Sequence, residues 1–96
     1  MTPYARAVLD AVDAIPAGRV MAYSDLAEYV GKGTGRTVGT VMARYGGEVA
    51  WHRVVRADGS CAPRVRARQV ALLRSEGVPM DGERVDLARA RWDGRG

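Results

Sequence analysis

The stretch Gly31-Lys32-Gly33-Thr34-Gly35 sets three alternating glycines between two short amphipathic segments. A helix cannot run through it, because each glycine there costs about 1 kcal/mol relative to alanine. The chain must turn tightly. Before the turn, Asp25 to about Val30 reads as a helix, with Ser24 as its hydroxyl cap, Asp25 favouring the N-terminal dipole, and Leu26, Tyr29 and Val30 inward. After it, about Gly35 to Arg44 reads as another, with Val38, Val41, Met42 and Tyr45 on one side and Arg36, Thr40 and Arg44 mostly elsewhere. Two short helices around a tight turn, the second with a basic outer face, predict a helix-turn-helix. The turn lacks the spacing and the lysine-hydroxyl ending of a phosphate-binding loop. Gly39, in mid-helix, implies close approach, either of another helix or of a nucleic-acid backbone.

The other elements follow from similar signals. Thr2-Pro3 opens a first helix as cap and first helical residue, and Tyr4, Val8, Ala11, Val12 and Ile15 recur at helical spacing until Pro16-Ala17-Gly18. Arg19 to Tyr23 is a brief extended segment. Gly46-Gly47 breaks the third helix, Val54-Val55 suits a buried strand, and Ala57-Asp58-Gly59-Ser60 turns the chain back. Residues 61–65 form a loop. Arg66 to Glu76 is a fourth helix with Val70 and Leu73 inward and Arg68 and Arg74 outward, stopped by Gly77. Val78 to Val85 is a small hairpin about Asp81-Gly82. Asp86 caps a last helical turn, Leu87 to Trp92, with Trp92 in the core or as a lid. The expected fold is one domain over residues 1–96, mainly α with short β segments, winged-helix-like.

Charge narrows the partner. Fourteen of the fifteen basic residues are arginine, Lys32 being the exception. Residues 31–75 hold nine bases (Lys32, Arg36, Arg44, Arg53, Arg56, Arg64, Arg66, Arg68, Arg74) against Glu48 and Asp58, a local charge of +7, and the remainder carries −3. An arginine-rich codon bias explains arginine in place of lysine but not this segregation, which suits nucleic acid. No run approaches a membrane span, and Asp10 and Asp13 interrupt any signal-peptide pattern. A single cysteine excludes an internal disulfide and suits a reducing, cytoplasmic setting. No pattern calls for a metal or a cofactor.

The remaining singular stretch is Val49-Ala50-Trp51-His52-Arg53-Val54-Val55, with the only histidine beside one of two tryptophans. By itself it reads as a strand entry: tryptophan filling a core, histidine satisfying a carbonyl, arginine reaching solvent. It resembles the Pro-Cys-His-Arg-Val motif of O6-alkylguanine-DNA alkyltransferases, with Ala50 for the proline and Trp51 for the cysteine. Three further blocks resemble the family in the same order: Val20-Met21-Ala22-Tyr23-Ser24, Arg36-Thr37-Val38-Gly39 and Leu72-Leu73-Arg74-Ser75-Glu76-Gly77. Tryptophan at the cysteine position marks the alkyltransferase-like proteins, which bind alkylated DNA without accepting the alkyl group.

That resemblance implies roles. Arg36 would enter the base stack from the minor groove and Tyr23 would press the backbone phosphate, together turning the damaged nucleotide outward. Without the resemblance, Arg36 reads as a phosphate-contacting or solvated arginine and Tyr23 as a core tyrosine. Met42, Trp51 and the Val54 backbone would wall a lesion pocket. An arginine from the loop after Gly59 would reach the lesion, Arg64 first, Arg66 or Arg68 next. His52, Arg53 and Glu76 would brace the corner, the glutamate orienting His52 through water in the enzymes. An indole cannot take an alkyl group, since its N–H only donates. The implied protein is a monomeric, non-enzymatic binder of O6-alkylguanine in double-stranded DNA that marks lesions for nucleotide excision repair proteins. The family's usual turn after the recognition helix is here Tyr45-Gly46-Gly47, so the pocket would be held less rigidly. Two rivals stand: alkyl transfer to Cys61, with Arg64 and Arg66 nearby to lower its pKa, and a winged-helix regulator reading sequence in the major groove.

Overall fold

The computed structural model describes residues 1–95. Helix α1 spans Pro3–Ala14, strand β1 Met21–Ala22, α2 Tyr23–Val30, α3 Gly35–Tyr45, β2 Val54–Val55, α4 Arg66–Ser75, β3 Met80–Asp81, β4 Arg84–Val85 and α5 Leu87–Ala90. The chain is mainly helical with short strands, as expected. Thr2 caps α1, its hydroxyl accepting from Ala5 N–H at 3.1 Å, with Pro3 in the first turn. Ser24 does not cap α2. The helix begins two residues earlier than expected, at Tyr23, and the Asp25 carboxylate accepts from Ala22 N–H at 2.9 Å. A carboxylate in the first turn reaches back where a serine hydroxyl at that position points outward to solvent.

The glycine turn delivers the second helix of the pair. Gly31 and Gly33 take φ of 83° and 81°, open to glycine at little cost. Thr34 and Thr37 then cap α3 reciprocally, and the Tyr4 hydroxyl lies 2.8 Å from Thr37 Oγ1, tying α3 to α1.

Strands β1 and β2 pair in parallel, Met21 with Val54 and Ala22 with Val55. A parallel pair requires a crossover, and α2, α3 and the corner at residues 51–53 supply it. Neighbouring strand residues face opposite ways. Met21 and Val54 therefore join one core with Val8, Val12, Leu26 and Val38, while Val20 and Val55 join another with Cys61, Val70, Leu73 and Val85. Trp92 is buried in the first core.

The C-terminal third departs from expectation in detail. The hairpin turns on Gly82-Glu83, with Asp81 already paired to Arg84, and Gly82 takes a φ of 63°. Asp86 makes no side-chain cap. Helix α5 stops at Ala90 because the chain extends to bridge Val20, with Trp92 N–H donating to the Val20 carbonyl at 2.8 Å. The loop at 61–65 contains a 3₁₀ turn, Pro63–Val65.

One polar clamp holds the corner. The Glu76 carboxylate accepts from Arg53 Nε at 3.0 Å, from Arg53 Nη2 at 2.7 Å and from His52 Nε2 at 2.9 Å. Contact with His52 is thus direct, because the end of α4 packs against the 3₁₀ turn Trp51–Arg53 with no room for a bridging water. Arg53 turns inward rather than out to solvent: its Nη1 donates to the Ile15 carbonyl at 2.9 Å, at the end of α1. The hydrogen bonds from Arg53, then those from His52, outweigh burial and hold the Glu76 carboxyl down to about 2, from an ordinary 4.5. Gln69, buried on α4, donates to the His52 and Val54 carbonyls at 3.1 and 2.8 Å.

The Arg53 and Glu76 side chains are 18% and 16% exposed, between the surface and the buried case, so Glu76→Gln should lose about 2–3 kcal/mol at neutral pH. A depressed carboxyl stabilises fully above about pH 4.5 and loses that contribution as pH falls toward 2. Urea titrations should therefore show the gap between the two proteins closing across that window, and a gap independent of pH would refute the clamp. Gly59 has a φ of 84°, and a Cβ there would run into the Val85 carbonyl. Gly59→Ala should lose about 2–3 kcal/mol, read from the same titrations, and a loss under about 0.5 kcal/mol would contradict the geometry.

Candidate nucleic-acid interface

Of the nine bases between residues 31 and 75, Arg53 is consumed by the clamp. The other eight are exposed, and none forms an ion pair among the described residues. They lie on the glycine turn, α3, the loop after β2 and α4. Unpaired cations repel one another, and such a set is best neutralised by a polyanion.

Two hollows open beside α3. The first, about 360 Å³, is walled by Tyr23, Gly39, Met42, Trp51, Val65 and Arg68, with Gly46 and Gly47 behind. The second, about 440 Å³, takes Tyr23 and Gly39 again, with Gly35, Arg56 and Ala62. Tyr23 and Gly39 thus form the lip between them. A Cβ built at Gly39 would meet nothing within 4 Å, so no neighbouring helix requires this glycine. Of the two reasons that its place in mid-helix suggested, close approach of a protein helix is excluded.

The site residues expected from sequence divide. Tyr23, Met42 and Trp51 come together in the first hollow, all half-buried. Burial raises the Tyr23 hydroxyl above its ordinary pKa, with Arg56 opposing, so it remains a proton donor at neutral pH. Trp51 is neither deep in the core nor free: its ring stands edge-on to His52, and the Arg68 guanidinium lies 5.8 Å from its centroid. Arg36 is exposed in the first turn of α3, outside both hollows.

Val54 and Arg64 do not line the hollow. The Val54 side chain is buried in the first core, and Gln69 occupies its carbonyl. Arg64 falls in the 3₁₀ turn, one residue short of Val65, and does not line the hollow, whereas Arg68, one of the alternatives to it, does. Arg66 is exposed and does not line it either. Sequence reading missed Val65 and Gln69. Val65 sits in a loop where spacing carries no signal, whereas Gln69 lies beside Val70 and Leu73 on the inner face of α4 and was detectable.

Cys61 is 1% exposed, and burial raises its thiol above the ordinary value more than Arg66 lowers it. The nucleophile is the thiolate, so a buried, protonated thiol opposes Cys61 as an alkyl acceptor. No group of side chains suited to a metal ion occurs among the described residues, and no helix there is long and apolar enough to cross a membrane.

Residues 3–78 match the family described as 6-O-methylguanine DNA methyltransferase, DNA binding domain. The DNA base-flipping protein of Escherichia coli is 39% identical over 89 residues, spanning 85% of this chain and 68% of that protein. Alkyltransferase-like protein 1 of Schizosaccharomyces pombe is 40% identical over 78 residues, spanning 74% of this chain and 72% of that one. The crystal structure of S. pombe Atl1 in complex with damaged DNA containing O6-carboxymethylguanine has the same fold, with a TM-score of 0.83 at 33% identity over 96% of each chain. By sequence and by fold, this chain belongs to the DNA-binding domain family of the O6-methylguanine DNA methyltransferases.

Proposed function

We propose that this chain recognises O6-alkylguanine in duplex DNA, turns the damaged nucleotide out of the helix and holds it without accepting the alkyl group. The observation that carries the reading is the hollow over Trp51. It lies beside the recognition helix, it has an aromatic floor, and it contains no thiol. Its volume of about 360 Å³ falls at the lower end of the range for small-molecule sites. An extruded base would lie over Trp51 and against Met42, with Val65 and Arg68 at its rim and the alkyl group in the driest part.

Arg36 would fill the gap in the stack, since a guanidinium is flat, permanently charged and stacks on bases. Tyr23, as the lip, would donate to the phosphate of the turned-out nucleotide. The clamp of His52, Arg53 and Glu76 would keep Trp51 in place. Arg64 and Arg66 would contribute to phosphate attraction rather than to the pocket. Relatives named base-flipping and alkyltransferase-like proteins support this reading, as does a solved relative bound to damaged DNA. The 96 residues would act as one monomeric unit on cytoplasmic, nucleoid DNA, leaving a marked lesion for nucleotide excision repair proteins to remove.

Fluorescence anisotropy on a duplex with one O6-methylguanine, against its guanine twin at matched salt, tests this. The damaged duplex should bind tighter, with log affinity falling by roughly 0.9 per phosphate neutralised for each decade of salt. Equal affinities would remove the lesion claim. Trp51→Ala should lose roughly 10- to 100-fold on the damaged duplex, as expected for one lost base-stacking platform. Arg36→Ala should weaken both duplexes and abolish the difference between them.

Gly39→Ala separates stability from binding. It should gain up to about 1 kcal/mol in stability, because alanine favours a helix and its methyl meets no protein atom. It should nevertheless bind DNA at least several-fold more weakly. Unchanged binding would show that the space at Gly39 is not used by DNA. Intact-mass measurement after incubation with methylated DNA should show no added methyl group, and a gain on Cys61 would make this protein an enzyme.

A further inference from the structure

A third hollow, about 320 Å³, opens on residues that neither of the first two uses. It lies between α2 and the segment after α5, walled by Asp25, Glu28, Tyr29, Arg91, Trp92 and Asp93. Its character is opposite to that of the α3 surface. Three carboxylates face one arginine, and that arginine is engaged, with Arg91 Nε 3.0 Å from Asp25 Oδ2. Glu28 and Asp93 are exposed and form no ion pair among the described residues. DNA is excluded from such a surface by charge.

Two further observations point to an occupant. Tyr29 is 45% exposed, where the other aromatic side chains are buried or half-buried, and its ring centroid is 5.6 Å from that of Trp92. Trp92 is 5% exposed, and its indole Nε1–H is the only buried side-chain polar atom without a hydrogen-bond partner among the described residues. An indole N–H can only donate, so what satisfies it must bring an acceptor. A cation suits the exposed tyrosine face and the two unpaired carboxylates. A peptide segment carrying arginine or lysine offers both, a cationic side chain and backbone carbonyls.

We propose that this hollow docks a basic peptide segment of a protein partner, with one arginine or lysine side chain seated between the Tyr29 ring and the carboxylates of Glu28 and Asp93. A partner carbonyl accepts from Trp92 Nε1–H. Gly94 rests against the Tyr29 ring, where a Cβ would come within 2.7 Å of it, and this close approach keeps the adjoining Asp93 beside the hollow. The site does not depend on the lesion-binding reading. It leaves the α3 surface free, so a partner and DNA can be held together.

The chain has two tryptophans, one at each surface, and therefore two indole N–H signals in a ¹⁵N-labelled sample. The spectrum of Trp51→Phe assigns them. Titration of the full chain with a blocked Gly-Arg-Gly-Arg-Gly peptide should move the Trp92 signal saturably and leave that of Trp51 in place. The double variant Glu28→Gln, Asp93→Asn changes exposed side chains and should weaken the effect at least fivefold. Undamaged duplex DNA should move the Trp51 signal and not that of Trp92. The proposal fails if the basic peptide leaves Trp92 unmoved, if a blocked Gly-Glu-Gly-Glu-Gly peptide moves it equally, or if the double variant responds like the parent. It also fails if the Trp92 signal shifts on simple dilution of the protein, which would make the occupant a second copy of this chain.

Discussion

One carboxylate organises the middle of this molecule. Glu76, at the end of α4, accepts hydrogen bonds from both side chains that follow Trp51, and Arg53 carries the connection on to the last turn of α1. Three segments far apart in sequence thus meet at a corner only three residues long. A 3₁₀ turn of that length has no packing of its own to fix the direction of its side chains. The clamp supplies it. With His52 and Arg53 drawn toward α4, Trp51 is left on the other side, facing α3, and the hollow exists because of that division. The same hydrogen bonds, those from Arg53 first, hold the carboxyl down to about 2.

Around this corner the fold is economical. Two residues of β1 paired with two of β2 separate one core from the other, because each strand sends adjacent side chains to opposite faces. Phenylalanine is absent, and the two cores are filled mostly by valine, leucine and alanine. Small side chains leave little margin, and the polar ties matter more for it. Gln69 fastens α4 to the corner through two carbonyls, and Tyr4 fastens α3 to α1 through Thr37. Glycine serves two separate purposes. At Gly33 and Gly59 it admits backbone conformations and contacts that a Cβ would forbid, whereas at Gly39 it leaves a space that no protein atom uses.

Charge separation gives the molecule two faces. The lysine on the turn and the arginines on α3, the loop and α4 stand unpaired, while carboxylates collect beside Tyr29 and Trp92. Opposite charges on so small a chain could have paired internally. That they remain apart keeps one surface attractive to a polyanion and leaves the other repelling it.

The helix-turn-helix, the capping of α1, the buried Val-Val strand and the basic segment were legible in the sequence, because each depends on neighbours within a few residues. Helical spacing, glycine alternation and charge counts are local properties. The resemblance of four ordered blocks to the alkyltransferases likewise pointed to Tyr23, Met42 and Trp51, which the fold does bring to one hollow. Other features depended on distance in space. Asp25 rather than Ser24 supplies the cap of α2, because hydrogen-bond reach decides a cap. Arg53 turns inward because Glu76 and the Ile15 carbonyl wait there, twenty-three and thirty-eight residues away. Arg68, on α4, lines the hollow where Arg64 does not, because the 3₁₀ turn and the start of α4 set where each side chain falls, and residue type alone cannot distinguish among the arginines of residues 64–68. The order of residues determined which elements form and which sign of charge they carry, while the packing of α4 against the corner decided which side chains face the cavity.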